Sequence, residues 1–397
     1  MVINEKRLER QKEVIIKWIK NNYIGILVAV TGVGKSYIGI LSIQYILSKR
    51  PNADVIVVVP TLYLKNQWEE LLRDHKLTQV KVLVINTAAK TVVECDYLIV
   101  DEIHTAGSDF FINLFNTIKY KAFLGLTATL ERSDGRHSLL LDKAPIIDVI
   151  DLEEALREGY ISNYKIYNIP VKLTSQELIA YKKIQSSYLY YEHKLGGKFS
   201  AWSNASDRLV KSNKDLFTDE ERREALMFLR LVNQRKTVLY NSNSKLQLTE
   251  EILQLFPNRK AIIFCESISF AEKIDKLLNK QSVIYHSKLT NKEKKEAITR
   301  FTDGRTKSNV MVSCKALDAG VDIAGVNLGI CCAGTSKQLQ SIQRLGRNIR
   351  VNSANTVALY FNLYIEDTQE EKWLKSRCYN IPNVEWITSL NDLIWTS

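Results

Sequence analysis

The sequence predicts an α/β fold, two parallel-sheet units separated by a mainly helical stretch, and three observations carry that reading. Short, unbroken apolar runs alternate with helical patterns from residue 24 to about residue 127. The same alternation resumes at residue 261. Between about residues 165 and 257 it gives way to a more polar stretch of longer period. Apolar runs of this kind mark strands buried on both faces, and their alternation with helices marks parallel pairing through crossovers.

Taken in order, residues 5–20 read as an amphipathic helix with Leu8, Val14, Ile15, Trp18 and Ile19 on one side. IGILVAV (24–30) is the first strand, followed by TGVGKS and a helical pattern to about Lys49. DVIVVV (54–59), a helix from Leu62, VKVLVI (80–85), YLIV (97–100), a helix from Phe110 and AFLGLT (122–127) complete the first unit. After YKIYNIPVKL come helical runs at 175–195 and 219–256, interrupted at Gly196 and Gly197. The second unit contains AIIFC (261–265), SVIY (282–285), NVMVS (309–313), LGICCA (328–333) and TVALYFNL (356–363). The expected divisions are residues 1–164, 165–257 and 258–397.

At 397 residues, the chain is too long for one ordinary core and suits two or three domains. Its 45% hydrophobic and 25% charged residues are globular proportions. Lys and Arg number 55 against 44 Asp and Glu, a formal charge of +11. That excess suits a polyanionic partner, because neutralising phosphates releases counterions, but it also suits a basic protein without one. None of the six cysteines forms a CxxC pair and most sit in apolar runs, so buried free thiols in a reducing cytoplasm are expected. The charged N-terminus lacks a signal-peptide core, and no apolar run reaches membrane-spanning length.

AVTGVGKS (29–36) follows a strand and opens a helix, the setting that a phosphate-binding loop requires. Thr31, Gly32, Val33 and Gly34 would curl backbone N–H groups around phosphate oxygens, and the helix N-terminus would add its partial positive charge. Lys35 would reach the β- and γ-phosphates of ATP, and Ser36 would ligate Mg²⁺. Ala29 stands where such loops usually begin with glycine. The plainer alternative is a glycine turn capping a helix, and the preceding strand argues against it.

YLIVDEIH (97–104) delivers Asp101 and Glu102 at a strand's C-terminal end, where ligands bind in open α/β sheets. Asp101 would hold Mg²⁺ through water, and Glu102 would orient and deprotonate the attacking water. Alone, the pair could equally cap the next helix. The phosphate loop upstream favours the catalytic reading. His104 would link this segment to GLTATLERSDGR (125–136).

In the second unit, QRLGRNIR places Gln343, Arg344, Arg347 and Arg350 around one glycine turn. Arg347 and Arg350, three apart, share a helix face. Aimed across a cleft, the two guanidiniums could stabilise charge on a γ-phosphate. Without the ATP segments, a basic face on solvent or on phosphate backbone would be the default reading.

Together these segments resemble the ordered motifs of superfamily 2 helicases. TGVGKS, DEIH and TAT are similar to motifs I, II and III, SCKALDAGVDI (313–323) to motif V, and QRLGRNIR to motif VI. The resemblance covers about residues 8–165 and 258–365. TATxxRxDG, QRLGRxxR and LEEALREGYISNYKIY resemble the branch of xeroderma pigmentosum B-type repair helicases, phage branch-migration helicases and restriction-motor subunits. The resemblance implies two RecA-like domains with the ATP site between them, and movement on DNA, generally 3′ to 5′. It makes Arg347 and Arg350 the arginine fingers and places Gly320 and Asp322 in the nucleotide-binding set. It places Gln11, with Arg10 beside it, where relatives read adenine. Thr61 in PTLYLKNQW (60–68), Thr87 in INTAAK (85–90) and Ser313 would touch phosphates, although each could equally cap a helix. No damage-recognition domain or nuclease motif is recognisable.

The helical stretch packs Tyr181, Tyr188, Tyr190, Tyr191, Phe199 and Trp202 among Lys182, Lys183, Lys194 and Lys198. Aromatic rings at helical spacing usually pack a core, so Tyr181, Tyr188 and Tyr191 are expected to pack the core of the arm itself. Interleaved with lysines they also suit a single strand, with Tyr190, Lys198 and Trp202 as the contacts. The leading expectation is an ATP-dependent DNA helicase or translocase. The alternatives are an RNA helicase, the motor of a nuclease complex, or a nucleic-acid-binding scaffold with structural ATP. The pairing of Lys35 and Glu102 with Arg347 and Arg350 argues against the scaffold.

Overall fold

The computed structural model describes residues 5–107, 111–130, 137–210, 216–279, 281–303, 309–314, 325–333, 357–378 and 381–393. The motif V residues Gly320 and Asp322 and the motif VI residues Gln343, Arg344, Arg347 and Arg350 lie outside these.

Helix α1 (Glu5–Lys20) packs Gln11, Val14, Ile15 and Trp18 inward; of the expected stripe, Leu8 and Ile19 are only half-buried. It lies against the first sheet, built from β1 (Ile24–Ala29), β2 (Val55–Val59), β3 (Lys81–Val84), β4 (Val93–Asp101), β5 (Ile118–Thr127) and β6 (Ile146–Ile150). Their order is β3-β2-β4-β5-β1-β6, and the pairings are parallel. Every residue of β2 is buried, as a two-faced parallel strand requires. Helices α2 (Lys35–Lys49) and α3 (Leu62–Asp74) follow β1 and β2, and the short α4 (Ile85–Ala88), α5 (Leu114–Thr117), α6 (Ser138–Leu141) and α7 (Leu152–Arg157) come after. The helix expected from Phe110 is reduced to a 3₁₀ turn, Phe111–Asn113, and four residues, Leu114–Thr117. Strand β5 begins at Ile118 and takes up KYK, so little chain remains for a helix.

The second sheet has the order β13-β7-β12-β11-β8-β10-β9, again with parallel pairings. It contains β7 (Tyr164–Val171), β8 (Ala261–Cys265), β9 (Val283–His286), β10 (Val310–Cys314), β11 (Leu328–Cys331), β12 (Ala358–Ile365) and β13 (Val384–Trp386). Here the structure corrects the sequence reading, which put residues 165–171 in the helical stretch. Strand β7 pairs along its whole length with β12. Its partner is nearly two hundred residues away, so local period alone could not place it.

The helical stretch is α8 (Ser175–Lys194), α9 (Ala201–Leu209) and α10 (Asp219–Tyr240). Thr174 and Thr218 cap α8 and α10 through capping boxes with Glu177 and Glu221. Gly196 and Gly197, both at positive φ, end the first arm. The run expected over 219–256 breaks after Tyr240, and α11 (Asn243–Leu255) belongs with the second sheet. Its buried Lys245 donates to both Glu370 carboxylate oxygens, at 2.8 and 2.7 Å, and to the Cys332 carbonyl just beyond β11. All six cysteines are free, and five are buried. Among the described residues no helix is long and apolar enough to cross a membrane.

Candidate active site

Strand order places the C-terminal ends of β1, β5 and β4 side by side at the middle of the first sheet. These ends carry TGVGKS, TAT and DEIH, so three separated segments meet at one edge. Gly32 and Gly34 both take positive φ, at 96° and 89°, which lets the loop turn back over the start of α2. The φ of Gly34 strains any side chain there, and a Cβ would also push aside the ends of Gln11, at 2.6 Å from Nε2, and Arg7, at 2.9 Å from a guanidinium nitrogen. Lys35, buried at the first position of α2, donates from Nζ to the Ala29 carbonyl at 3.0 Å. Thr31 and Val33 are buried, and Ser36 is half-buried in the first turn of α2.

Gln11 Nε2 donates to the Val33 carbonyl at 2.8 Å, and Arg7 Nε donates to the same oxygen at 3.1 Å. Helix α1 therefore grips the phosphate loop directly. Arg10 points elsewhere. Its guanidinium reaches Asp148 at 2.6 Å and Glu154 at 2.7 Å, with Lys17 also on Asp148 at 2.7 Å. Of the two neighbours in the adenine-reading position, Gln11 touches the loop and Arg10 anchors the helix to β6 and α7 (Leu152–Arg157). Burial opposes the charge on Arg10, but the hydrogen bonds to Asp148 and Glu154 outweigh it and hold its pKa above the ordinary value.

Asp101 ends β4, and both of its oxygens are occupied. Oδ2 accepts from Trp68 Nε1 at 2.8 Å and Oδ1 from the Glu102 backbone N–H at 2.9 Å. Burial, aided by the neighbouring Glu102 carboxylate, pushes Asp101 up to about 6, with Trp68 and Lys35 pulling the other way. Glu102 has φ 49°, a left-handed conformation uncommon for a residue with a side chain. The turn is closed by Thr105, whose backbone N–H donates to the Glu102 carbonyl at 2.9 Å. His104 Nδ1 lies 3.4 Å from Glu102 Oε2 and 3.0 Å from Thr127 Oγ1. The link from DEIH to TAT expected of His104 is thus present.

The oxygen donors Ser36 and Asp101, with Lys35 and a helix N-terminus beside them, match what a magnesium nucleotide needs. Mg²⁺ takes few carboxylates and completes its shell with phosphate and water.

The expected polymer contacts are spread more widely. Thr61 is half-buried and caps α3 by accepting from the Leu64 N–H at 3.3 Å. Thr87 is exposed on the short turn Ile85–Ala88. Ser313 lies in β10 with its side chain buried. On the helical arm, Tyr190 and Trp202 are 55% and 57% exposed, and Lys198 is exposed beside Phe199. Tyr188 and Tyr191 pack against the arm's own core, and Tyr181 is buried among second-sheet residues. Two residues outside the expected set matter here. Trp68, at the end of PTLYLKNQW, was legible only as part of the buried stripe Leu64, Trp68 and Leu72. Phe199, 94% exposed at the tip of the arm, falls inside the aromatic cluster that the sequence displays.

Comparison with known proteins agrees with this geometry. Residues 5–92 match the type III restriction enzyme res subunit family, and residues 244–352 match the helicase conserved C-terminal domain. The fold is similar to that of the Pyrococcus furiosus Hef helicase domain, with a TM-score of 0.62 and 15% identity over 95% of this chain and 99% of that one. It is likewise similar to S. cerevisiae Dbp5 bound to RNA and ADP BeF3, with a TM-score of 0.62 and 14% identity over 96% and 88%. The TFIIH basal transcription factor complex helicase/translocase XPB subunit of Trypanosoma brucei brucei is 25% identical over 71% of this chain, which spans only 28% of that protein. The DNA 3'-5' translocase XPB2 of Sulfurisphaera tokodaii is 31% identical over 362 residues, 86% of this chain and 77% of that protein. A similarity of that extent, carried by a sheet edge that joins phosphate loop, DEIH and TAT, shows that the chain belongs to the XPB-like superfamily 2 helicases.

Proposed function

We propose that this chain hydrolyses ATP, with Mg²⁺, to move along or unwind DNA. The observation that supports this best is the single sheet edge at which Lys35, Asp101, Glu102 and His104 converge with the TAT strand. A magnesium nucleotide bound there supplies the phosphoryl group and neutralises its charge. The chain's own residues do the rest. Lys35 and the loop N–H groups hold phosphate oxygens, Ser36 and Asp101 hold the metal, and Gln11 reads the base. Glu102, with His104 beside it, accepts the proton of the attacking water.

In this reading Arg347 and Arg350, with Gln343, complete the site from the second unit, and Gly320 and Asp322 join the nucleotide-binding set. Changing Arg347 to Ala should lower turnover roughly a thousandfold while leaving polymer affinity nearly unchanged. Polymer contacts are assigned to Thr61 and Thr87 in the first unit and to Tyr190, Lys198 and Trp202 on the arm; Ser313, buried in β10, is left out of the set. The domains in this reading are a first unit ending before β7, an arm of α8 to α10, and a second unit that takes β7, α11 and the remainder. The kinship with a DNA translocase favours DNA over RNA.

The deciding measurement is the ATPase rate with no polymer, single-stranded DNA, duplex DNA, forked DNA and RNA. DNA should stimulate most. Greater stimulation by RNA would replace this reading with an RNA helicase, and indifference to every polymer would remove the motor.

A further inference from the structure

Helix α3 reaches the proposed metal site through Trp68. Trp68 is 2% exposed, and its indole N–H donates to Asp101 Oδ2 at 2.8 Å. The far edge of the same ring is pressed against α2, where a Cβ on Gly39 would lie 2.5 Å from Trp68 Cη2. The ring is therefore wedged between the helix that opens at Lys35 and the strand that ends at Asp101, and it has no room to rotate. A tryptophan packed only for its apolar area would leave its N–H to any nearby carbonyl. Here the N–H goes to the carboxylate proposed to hold the metal, a charge-assisted bond that also fixes the carboxylate's rotation.

We infer that Trp68 is a positioning residue for the nucleotide-bound metal. Its N–H holds Asp101 in the orientation that receives Mg²⁺, which ties that carboxylate to helix α3. The inference rests on the proposed ATP site and extends it. Two features make the tie consequential. With Oδ2 held by Trp68 and Oδ1 by the Glu102 N–H, the carboxylate plane is fixed before any metal arrives. Outer partners of metal-binding carboxylates are worth about ten- to a hundredfold in metal affinity. In addition, α3 is the helix whose N-cap, Thr61, is proposed to face the polymer. A displacement of α3 by a bound strand therefore acts on Asp101 through one rigid ring.

The test replaces Trp68 with Phe, which keeps an aromatic ring and removes the N–H. A second variant carries β-(3-benzothienyl)alanine at the same position, keeping the bicyclic shape without the donor, so that a packing defect in the Phe protein does not decide the result. Binding of a fluorescent ATP analogue to the full chain is titrated with Mg²⁺, without nucleic acid. The Mg²⁺ concentration for half-saturation should rise about tenfold or more in both variants. Analogue binding without Mg²⁺ should stay at the parent level. Unchanged Mg²⁺ half-saturation in the benzothienyl protein would overturn the inference and leave Trp68 as packing alone. Loss of analogue binding without Mg²⁺ in that protein would also overturn it, because the damage would then lie in the phosphate loop. No polymer is present, so failure here is distinct from failure of the DNA reading. If the parent itself bound no nucleotide, the proposed ATP site and this inference would fall together.

Discussion

The C-terminal edge of the first sheet and the tip of the helical arm hold their candidate functional side chains in opposite ways. At the sheet edge, Lys35, Asp101 and Glu102 are buried, and the Asp101 carboxylate and Lys35 ammonium are held by named partners at hydrogen-bond distance. At the arm, Tyr190, Phe199, Trp202 and Lys198 face outward. Lys194 shares itself between Glu224, at 2.5 Å, and the Tyr190 ring. Bond-breaking on a fixed nucleotide needs groups oriented in advance in a low-dielectric setting, where each interaction is strong. A polymer that slides past presents varying bases, so it is met best by rings and ammonium groups that stack and screen without fixed geometry. Hydrolysis and grip are assigned to the two regions accordingly.

The largest effects should come from the sheet edge. Lys35→Ala should weaken nucleotide binding and bring turnover to background, since the phosphates lose their charged donor. Glu102→Gln should bind nucleotide as the parent does and still fail to turn over, because only water activation is lost. Equilibrium binding and steady-state ATPase on the two variants separate these outcomes. Near-normal turnover by the Gln variant would remove Glu102 from its role.

The arm sharpens the contrast at intermediate size. Tyr188 stacks on Phe228 at a centroid distance of 5.4 Å and carries the Arg235 guanidinium 3.8 Å above its ring. Truncating it to Ala should cost about 2–3 kcal/mol in a denaturant melt, below the range of about 3–5 for a fully buried aromatic because it is only half-buried. Tyr190 and Trp202 make few such contacts, so their joint replacement by Ala should change stability by under about 1 kcal/mol. It should nonetheless reduce fork unwinding while ATPase stimulated by single strands survives. Unwinding at the parent level would make the arm structural.

Much of this was legible in the sequence because it is local. TGVGKS and DEIH each fix a turn and the chemistry around it within eight residues, and strands such as AIIFC announce themselves by unbroken apolarity. The partition of the aromatic cluster was also legible, since helical spacing separates Tyr181, Tyr188 and Tyr191 from Tyr190. What could not be read depends on distant pairing. Strand β7 finds β12 across nearly two hundred residues, and the hydrogen bond of Trp68 to Asp101 spans two elements with no shared motif. Arg10 and Gln11 are adjacent in sequence, so only the helix's rotation against the loop shows which one touches it.

The smallest effect concerns the anchoring of α1, which belongs to the sheet-edge side of the comparison but lies outside the chemistry. Asp148 is nearly covered and is held by both Arg10 and Lys17. Burial pushes its pKa up, but the hydrogen bonds to those two cations prevail and hold it below the ordinary carboxylate value. A depressed carboxylate contributes stability that is fully present above its unfolded pKa, near ~4, and is lost as pH falls through the folded value. Asp148→Asn removes that contribution, and Arg10 keeps Glu154, so the loss at pH 7 should be about 1–2 kcal/mol, less than for a buried charge stripped of every partner. The gap between parent and variant should hold steady from pH 8 down to about 5 and narrow as pH falls below about 4. Denaturant melts of both proteins across that range measure it. Because α1 also carries Gln11 and Arg7 to the Val33 carbonyl, the variant should bind nucleotide a few-fold more weakly with turnover at saturation unchanged. A stability gap independent of pH would show that the loss comes from packing and not from the ion pairs. A fall in saturated turnover would instead place Asp148 among the residues that act on the phosphates, and the separation between anchoring and chemistry at this edge would fail.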